Sequence, residues 1–431
     1  MARISVVGLG YVGLVHAVGF ALLGHEVFGY DVDEQKLKRL SAGVPTIYEE
    51  GLGEGLRKSL SRGSLRFTSN LWEAVKGSDV SFISVGTPSN PDGSQDLGQV
   101  IAASRSLGRA LREKGSWHLF VVKSTVLPGT ALGAVRRVLE EESGLRAFED
   151  FGLASNPEFL REGSAMRDFF KPDRIVLGVG DERSRELLLE IYAGIDAPKV
   201  VTDITTAEMA KYASNAFLAL RISFANEMGS LCKELGTDCY EVLRIAGMDH
   251  RIGPHFFRAG LGFGGSCFPK DLRALATFME SRGLRARILR ATLEVNEEQV
   301  LRAMALLEKH IGELRGRRIG VLGLSFKPNT DDVRESRAIA LARELLKRGA
   351  VVGVHDPKAM VNARGELGDL VRYYEDPQRL IEDSEAVVIA TEWEEYELLD
   401  YRGKIVIDGR RVEKAREARI YEGMAWQHVG I

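Results

Sequence analysis

Cysteine is scarce in this chain. Its three cysteines, among 431 residues, are too few for a disulfide framework and lack the spacing of a zinc site. The chain also lacks a large excess of charge of either sign, because its formal net charge is −3. This small charge gives no electrostatic argument for binding nucleic acid or an anionic membrane. We therefore expect a globular protein of two or three domains in the reducing cytoplasm, with no metal site.

Residues 4–24 contain no acidic or basic side chain except His16. By its length this stretch could span a membrane. Five glycines interrupt this stretch, however. It also lacks the basic segment, shorter apolar core and cleavage site of a signal peptide. A buried parallel strand, a glycine turn and a packed helix explain the pattern better.

The first part of the chain alternates short apolar runs with helical patterns such as 11–23 and 97–115. This alternation is typical of a parallel, doubly wound sheet. The expected strands are 4–8, 25–31, 80–86, 118–125, 151–158 and 175–180. The last part repeats the pattern as a weak internal duplication, although it lacks the full glycine set of the first part. Its expected strands are 317–326, 350–357, 386–393 and 404–411.

The middle of the chain has a different pattern, which is mainly helical. Apolar residues recur at helical spacing from about Thr205 to Cys239, which predicts one long helix. Further helices are expected at 240–247, 271–282 and 288–310. The fold class is thus α/β, with two Rossmann-like doubly wound parallel-sheet domains joined by a helical middle domain. The expected domain bounds are 1–200, 201–312 and 313–431.

A glycine motif, GLGYVG, lies between the first strand and the first helix. Gly8 makes the tight turn, Gly10 lets the backbone approach a pyrophosphate, and Gly13 allows close helix packing. Asp31 ends the next strand, where it can accept hydrogen bonds from ribose hydroxyls and would repel a 2′-phosphate. NAD is therefore favoured over NADP. A glycine turn without a ligand is the alternative, but the strand, the glycines, the helix and the acidic residue all fit a dinucleotide site.

The second chemical motif is LGFGGSCFPKD, residues 261–271, which places Cys267 after two glycines. Lys270 brings a cation near the sulfur, which favours the nucleophilic thiolate, and Asp271 could move protons. A buried structural cysteine is the alternative, although a glycine-rich, charged loop is a poor core segment. Cys232 and Cys239 are seven residues apart in a helical pattern and are expected to share one buried face.

Polar residues follow three further expected strands: Thr87-Pro88, Ser124-Thr125 and Asn156-Pro157-Glu158. Each could be ordinary turn chemistry. Because ligands of open α/β sheets bind beyond the carboxyl ends of the strands, a shared pocket is the better interpretation.

Taken in order, eight motifs resemble those of one family, that of the UDP-glucose/GDP-mannose dehydrogenases. They are GLGYVG, FISVGTP, KSTVLPGT, NPEFLREG, EMAKYASNAFLA, GFGGSCFPKD, GLSFKPNTDDVRES and IDGRR. The resemblance covers nearly the whole chain and is strongest to the members that act on UDP-glucose. Relatives that act on N-acetylated sugars usually have a histidine where this chain has Ser266.

The resemblance implies oxidation of a sugar C6 alcohol to a carboxylate with two NAD per product, here UDP-glucose to UDP-glucuronate. An aldehyde does not readily give up a second hydride, but a cysteine thiohemiacetal does, leaving a thioester that water hydrolyses. Three alternatives remain open: a GDP-mannose 6-dehydrogenase, a two-electron alcohol dehydrogenase that does not need Cys267, and a non-catalytic NAD-binding sensor.

The resemblance also implies roles for individual residues. Glu158 is preferred over Glu162 as the hydrolytic base. Arg251 is expected to reach the site across the interface of a homodimer, and the site itself is expected between the two α/β domains. The implied catalytic residues are Cys267, Lys211, Asp271, Asn215, Thr125 and Glu158. The implied cofactor contacts are Gly8, Gly10, Tyr11, Val12, Gly13, Asp31, Lys36, Thr87, Thr125, Glu162, Lys270 and Arg334. The implied substrate contacts are Glu158, Phe159, Leu160, Glu162, Lys211, Asn215, Arg251, Phe256, Arg258, Gly262, Phe326, Lys327 and Arg410.

Overall fold

A computed structural model describes residues 1–426 of the chain. The chain divides into two compact units, Met1–Ser214 and a second unit that begins at Asn215. The three predicted domain ranges stay predictions, and the end of the third, residue 431, lies outside the described residues. Within residues 1–426, no helix is both long enough and apolar enough to cross a bilayer.

The first unit is built on an eight-stranded sheet of order β3-β2-β1-β4-β5-β6-β7-β8. Its strands are β1 (Arg3–Val7), β2 (Glu26–Tyr30), β3 (Leu65–Thr68), β4 (Val80–Ile83), β5 (Leu119–Val122), β6 (Gly152–Ser155), β7 (Ile175–Val179) and β8 (Lys199–Thr202). Neighbouring strands are parallel except β6 and β7, which pair antiparallel. Strand direction depends on the path of the connecting segment, so the strand–helix alternation did not reveal this pair.

Helices cover this sheet and bury its apolar strands. The helices are α1 (Tyr11–Leu22), α2 (Glu34–Ser41), α3 (Leu52–Ser61), α4 (Leu71–Lys76), α5 (Gly98–Lys114), α6 (Arg136–Ser143), α7 (Ala165–Phe170) and α8 (Glu182–Ile191), with a π-helical turn at Ala131–Val135. Ile4, Val6, Phe20 and Phe82 are fully buried in one apolar cluster. Residues 4–24 therefore form the expected strand, turn and packed helix.

The second unit combines helices with a six-stranded parallel sheet of order β11-β10-β9-β12-β13-β14. Its strands are β9 (Arg318–Leu322), β10 (Val351–His355), β11 (Arg372–Tyr373), β12 (Ala386–Ile389), β13 (Ile405–Asp408) and β14 (Ile420–Gly423). Its helices are α10 (Cys239–Ala246), α11 (Phe268–Ser281), α12 (Arg287–Ile311), α13 (Arg337–Lys347), α14 (Met360–Leu367) and α15 (Pro377–Asp383), with short 3₁₀ turns at Glu394–Leu398 and Glu413–Glu417. The chain enters this unit through α9 (Ile204–Glu234).

The predicted internal duplication is visible in both strand order and hydrogen bonding. The first six strands of each sheet follow the same order. In the first sheet Leu9 N donates to Asp31 at 2.8 Å, and in the second Leu324 N donates to Asp356 at 2.7 Å. An aspartate that follows the second strand of each sheet in chain order thus fixes the turn after the first strand.

Two predicted helix bounds were wrong. The long helix ends at Glu234 rather than Cys239, because Gly236 adopts φ 70° and Asp238 caps a new helix, α10. Helix α11 begins at Phe268 rather than at 271, since proline is tolerated in the first turn of a helix.

Cys232 and Cys239 consequently lie on different helices, although both are buried in one apolar cluster. Burial raises the pKa of the Cys239 thiol to about 12. Both thiols have the surroundings of structural residues.

Candidate active site

The glycine turn between β1 and α1 is shaped by two close approaches. A Cβ at Gly13 would lie 1.8 Å from the carbonyl oxygen of Gly8, so only glycine fits there. Gly8 adopts φ +93°, a conformation that disfavours side chains, and its own Cβ would lie 2.9 Å from the oxygen of Ser84. Both glycines serve the packing of the turn itself.

Gly10 serves a different purpose. A Cβ at Gly10 would meet nothing within 4 Å, so packing does not explain the absence of a side chain there. The first turn of α1 carries no acidic residue, and the amides of a helix N-terminus attract anions. The turn therefore fits a pyrophosphate held by backbone N–H groups of residues 10–12.

Asp31 closes this side of the site. It accepts hydrogen bonds from Leu9 N at 2.8 Å, Asp33 N at 3.0 Å and Lys36 Nζ at 2.8 Å. Burial alone would raise the pKa of Asp31, but the hydrogen bonds from Lys36 and the two amides lower it overall. The carboxylate stays ionised, in the state that accepts hydrogen bonds from ribose hydroxyls.

Thr87 and Thr125, which follow β4 and β5, lie together. Thr87 Oγ1 donates to the carbonyl oxygen of Thr125 at 3.1 Å. Gln95 Nε2 donates to the same oxygen at 2.7 Å and to Tyr212 Oη at 3.1 Å. Gln95 thereby fixes the Thr125 backbone against α9, a role that nothing in the sequence indicated.

The segment that carries Glu162 is joined to α1. Gly163 N donates to Tyr11 Oη at 2.9 Å and to Glu49 Oε2 at 2.8 Å. The Tyr11 hydroxyl also bonds Glu49. Two of the predicted cofactor contacts, Tyr11 and Glu162, are thus neighbours in this unit.

Lys211 and Glu158 form a buried ion pair in the first unit. Lys211 Nζ lies 3.2 Å from Glu158 Oε1, and both side chains are almost completely buried. Leu160 N donates to Glu158 Oε2 at 2.6 Å, and the ring centroid of Phe159 lies 5.4 Å from Lys211 Nζ. Four predicted site residues from two distant segments are therefore together.

In the second unit, Cys267 is the N-cap residue of α11. The N-terminus of a helix carries a partial positive charge that favours a thiolate. Gly265 adopts φ +86° and its Cβ would lie 2.8 Å from the ring of Phe326, so the glycine lets the turn pack on that ring. Gly265 N also donates to the carbonyl oxygen of Arg334 at 2.9 Å.

Asp271 lies in the first turn of the same helix and is 1% exposed. Its carboxylate accepts from Asn215 Nδ2 at 2.7 Å and from Lys270 Nζ at 2.6 Å. Three residues named for the site on different grounds, Asn215, Lys270 and Asp271, thus lie together within this unit. A thiol, a carboxylate and an amide at one helix N-terminus can support nucleophilic and proton-transfer chemistry.

Several predicted substrate contacts lie near the glycine-rich turn that precedes Cys267. Arg410 Nη2 donates to the carbonyl oxygen of Gly262 at 3.3 Å. Glu392 lies 3.5 Å from Arg410 Nε and 3.6 Å from Arg258 Nη1. These two guanidinium groups suit phosphate oxygens.

Aromatic rings extend this set. Lys327 Nζ lies 5.7 Å from the ring centroid of Phe326. Phe256, which has a positive φ of 63°, places its ring centroid 6.3 Å from that of Phe268. Positive φ is costly for a phenylalanine and tends to occur at functional sites.

Arg251 and Arg334 are placed differently. Arg251 is paired with Asp249 at 2.6 Å, and Arg334 with Asp332 at 2.6 Å. Both guanidinium groups are mostly exposed, with side chains 77% and 61% accessible. Their predicted roles in the partner's site and in cofactor binding therefore stay predictions.

Sequence reasoning missed Lys123, the residue directly after β5. It is 3% exposed, and its Nζ donates to Asn156 Oδ1 at 2.9 Å. A lysine that closes the apolar run HLFVV was the available signal, because lysine is rarely buried without a partner.

Models of one family match almost the whole chain. Residues 2–196 match the NAD binding domain of the UDP-glucose/GDP-mannose dehydrogenase family, residues 205–298 its central domain and residues 320–415 its UDP binding domain. The chain belongs to this family. As a family member it is an NAD-dependent nucleotide-sugar 6-dehydrogenase, and NAD is the cofactor that the glycine turn and Asp31 fit.

Individual relatives agree with this membership. The chain is 43% identical to the UDP-glucose 6-dehydrogenase AglM of Haloferax volcanii, with 98% of this chain and 100% of the relative covered. A solved structure of a UDP-glucose dehydrogenase from Pyrobaculum islandicum is 61% identical, with TM-score 0.97 and 99% and 98% of the two chains covered. A GDP-mannose dehydrogenase from Pseudomonas aeruginosa is 37% identical, with TM-score 0.58 and coverage of 98% and 100%.

Proposed function

We propose that this dehydrogenase converts UDP-glucose to UDP-glucuronate by a four-electron oxidation in which Cys267 holds the substrate covalently. The observation that carries the proposal is the position of Cys267 at the N-cap of α11, with Lys270 and the buried Asp271 in the turn that follows. The similarity to UDP-glucose dehydrogenases at up to 61% identity supports the choice of sugar nucleotide.

A covalent route explains why a reactive thiol is needed. The Cys267 thiolate attacks the C6 aldehyde, forming a C–S bond and an oxyanion. In the second oxidation the resulting thiohemiacetal loses its remaining C6 hydrogen as a hydride and its hydroxyl hydrogen as a proton, and becomes a thioester. Water then attacks the thioester, the C–S bond breaks, and a carboxylate leaves. Bound NAD would supply the hydride acceptor for both oxidations.

The neighbouring residues have separate tasks. Lys211, a buried cation, stabilises negative charge that develops on the reacting oxygen. Asp271, held by Asn215, takes the alcohol proton, and Thr125 helps to hold a catalytic water. Glu158, held by Lys211 and Leu160 N, is the base for thioester hydrolysis.

The sugar nucleotide is tested by steady-state kinetics with UDP-glucose and GDP-mannose. We expect kcat/KM to be higher for UDP-glucose by about 10²-fold or more, because a site built to hydrogen-bond one base leaves its polar groups unpaired with another. Equal values, or a preference for GDP-mannose, would overturn the assignment of the substrate without affecting the covalent chemistry. Turnover of neither sugar nucleotide would likewise overturn the assignment of UDP-glucose as the substrate.

The expected homodimer belongs to the proposal as well. Phe217, Phe224 and Leu231 recur at seven-residue spacing along α9 and are 58%, 46% and 53% exposed. This spacing places them on one stripe of the helix, the arrangement that pairs helices in oligomers. We propose that the stripe packs against a second copy of the chain.

We expect the double variant Phe217→Glu/Leu231→Glu to weaken the dimer, raising its dissociation constant roughly 30-fold or more for each interface hot spot removed. Sedimentation velocity over a dilution series measures this shift. Val361→Glu, at an 82% exposed position on α14, is the matched control and should leave the dimer intact. A wild-type protein that is monomeric at all concentrations would contradict the proposal.

A further inference from the structure

Lys123 has no task in the chemistry described above, yet it is among the most deeply buried charged residues of the first unit. Its Nζ donates to Asn156 Oδ1 at 2.9 Å, and Tyr192 Oη donates to the same oxygen at 2.5 Å. Asn156 Nδ2 in turn donates to the carbonyl oxygen of Val176 at 2.8 Å. The amide of Asn156 is thereby locked with its oxygen toward Lys123.

A cavity of about 70 Å³ connects Lys123 to Glu158. Both residues line it, and its volume exceeds what a single water molecule requires. Lys171 and Asp173 also line the cavity and are exposed. The cavity therefore extends from the buried Lys123 and Glu158 toward solvent. The buried end is polar, which is the condition under which a cavity takes up water.

Two amines share the surroundings of one carboxylate here. Lys211 Nζ forms the direct ion pair with Glu158 Oε1 at 3.2 Å, whereas Lys123 bonds a neutral amide oxygen. Burial lowers the pKa of Lys123 to about 7; the charge of Glu158 opposes this shift and the charge of Lys211 adds to it. Near neutral pH a substantial share of Lys123 is therefore the uncharged amine, which has a lone pair that can accept a proton.

The other titratable groups around Lys123 do not compete for this proton. Burial lowers the pKa of His16 well below its usual value, and burial raises that of Tyr192, so both remain neutral. His16 Nδ1 is moreover engaged with the carbonyl oxygen of Val12 at 2.8 Å. The charged groups farther along the cavity are Arg161, Asp168, Lys171, Asp173 and Arg174.

Proton release is a chemical necessity of the proposed reaction. Oxidising an alcohol to a carboxylate with two NAD and one water gives two NADH and, by charge balance, three protons. At least one of these comes from the hydrolytic water and arrives on Glu158, which is buried. Glu158 must return this proton to solvent before the next turnover.

We propose that Lys123 assists hydrolysis by acting through Glu158. It receives the proton of Glu158 through water in this cavity and releases it toward the exposed end. In this step an O–H bond of the Glu158 carboxyl breaks and an N–H bond of Lys123 forms. The ammonium then loses a proton to cavity water, which restores the amine. No bond to the substrate is made by Lys123, and the inference rests on the proposed function of Glu158.

The test uses the full-length enzyme and the variant Lys123→Met. We expect a rapid burst of two NADH per active site, followed by steady-state turnover slower by roughly tenfold or more, since proton-transfer groups contribute at least this much. The ionisation near pH 7 in the kcat profile should disappear. Mass spectrometry of the quenched enzyme should show the sugar acyl group accumulating on Cys267.

Lys114→Met is the matched control. Lys114 is also partly buried on the first unit, where burial lowers its pKa to about 8, and it bonds Ser78 O and His118 Nδ1 away from the cavity. This variant should keep the wild-type burst and pH profile. Lys123→Ala supplies a second arm, because methylamine should restore its turnover with a dependence on the unprotonated amine.

An unchanged burst and pH profile in a folded Lys123→Met enzyme would overturn the inference. If both Lys123 variants fail to fold, the wild-type enzyme decides: a single-turnover hydrolysis rate without a break near pH 7 contradicts a role for Lys123. Failure of the proposed function looks different, because no acyl group would then form on Cys267 in any variant.

Discussion

Replacing Cys267 by serine is expected to lower the rate of UDP-glucuronate formation by about 10⁴-fold or more, the scale seen when a covalent nucleophile is removed. A serine hydroxyl is a much weaker acid than a thiol, so at the same helix N-terminus it supplies far less of the nucleophilic anion. The aldehyde would then not be captured, and the second oxidation would fail. Coupled measurement of NADH and UDP-glucuronate checks this outcome.

Cys232→Ser is the control for this variant. Cys232 is buried in an apolar cluster of the second unit, so its replacement should cost some stability but leave kcat/KM near the wild-type value. A Cys267→Ser enzyme that still forms two NADH per sugar at a rate near wild type would contradict covalent catalysis. It would favour a route in which the hydrated aldehyde is oxidised directly.

Replacing Lys211 by methionine should lower kcat/KM by about 10²- to 10³-fold, the usual effect of removing one group that stabilises an oxyanion. The change also leaves the buried Glu158 carboxylate without its cation. Breaking a buried ion pair in this way costs about 3–5 kcal/mol of stability, so the midpoint of thermal unfolding must be measured beside the kinetics.

Two further variants separate the kinetic effect from the stability effect. Lys211→Arg keeps a cation next to Glu158 and should recover most of the stability, with activity still reduced because the guanidinium has a different shape and reach. Lys76→Met removes an exposed lysine of the same unit and should change neither quantity. A folded Lys211→Met enzyme with normal kcat/KM would exclude Lys211 from the chemistry.

Most of the fold could be predicted because its signals are local. The apolar strand, the glycine turn and the packed helix of residues 4–24 are adjacent in the sequence, and so are their counterparts near β9. The end of α9 was misjudged because the helical apolar spacing continues past Gly236 into α10. The antiparallel pairing of β6 and β7 could not be predicted, because it depends on the path of the connecting chain.

The candidate site was predicted unevenly for a similar reason. Cys267, Lys270 and Asp271 are consecutive or nearly so, and the chemistry of that order can be read directly. Lys211 and Glu158 lie far apart in the sequence, so only the resemblance to a family assigned both to one site, and their ion pair was not predicted. The burial of Lys123 was not predicted, because a single lysine at the end of a strand is usually exposed.

The most direct measurement of the central claim is the yield of NADH per UDP-glucose when the sugar is limiting and NAD is in excess. Covalent four-electron oxidation through Cys267 predicts a yield of two, with UDP-glucuronate as the product. A yield of one, with an aldehyde released into solution, would contradict it.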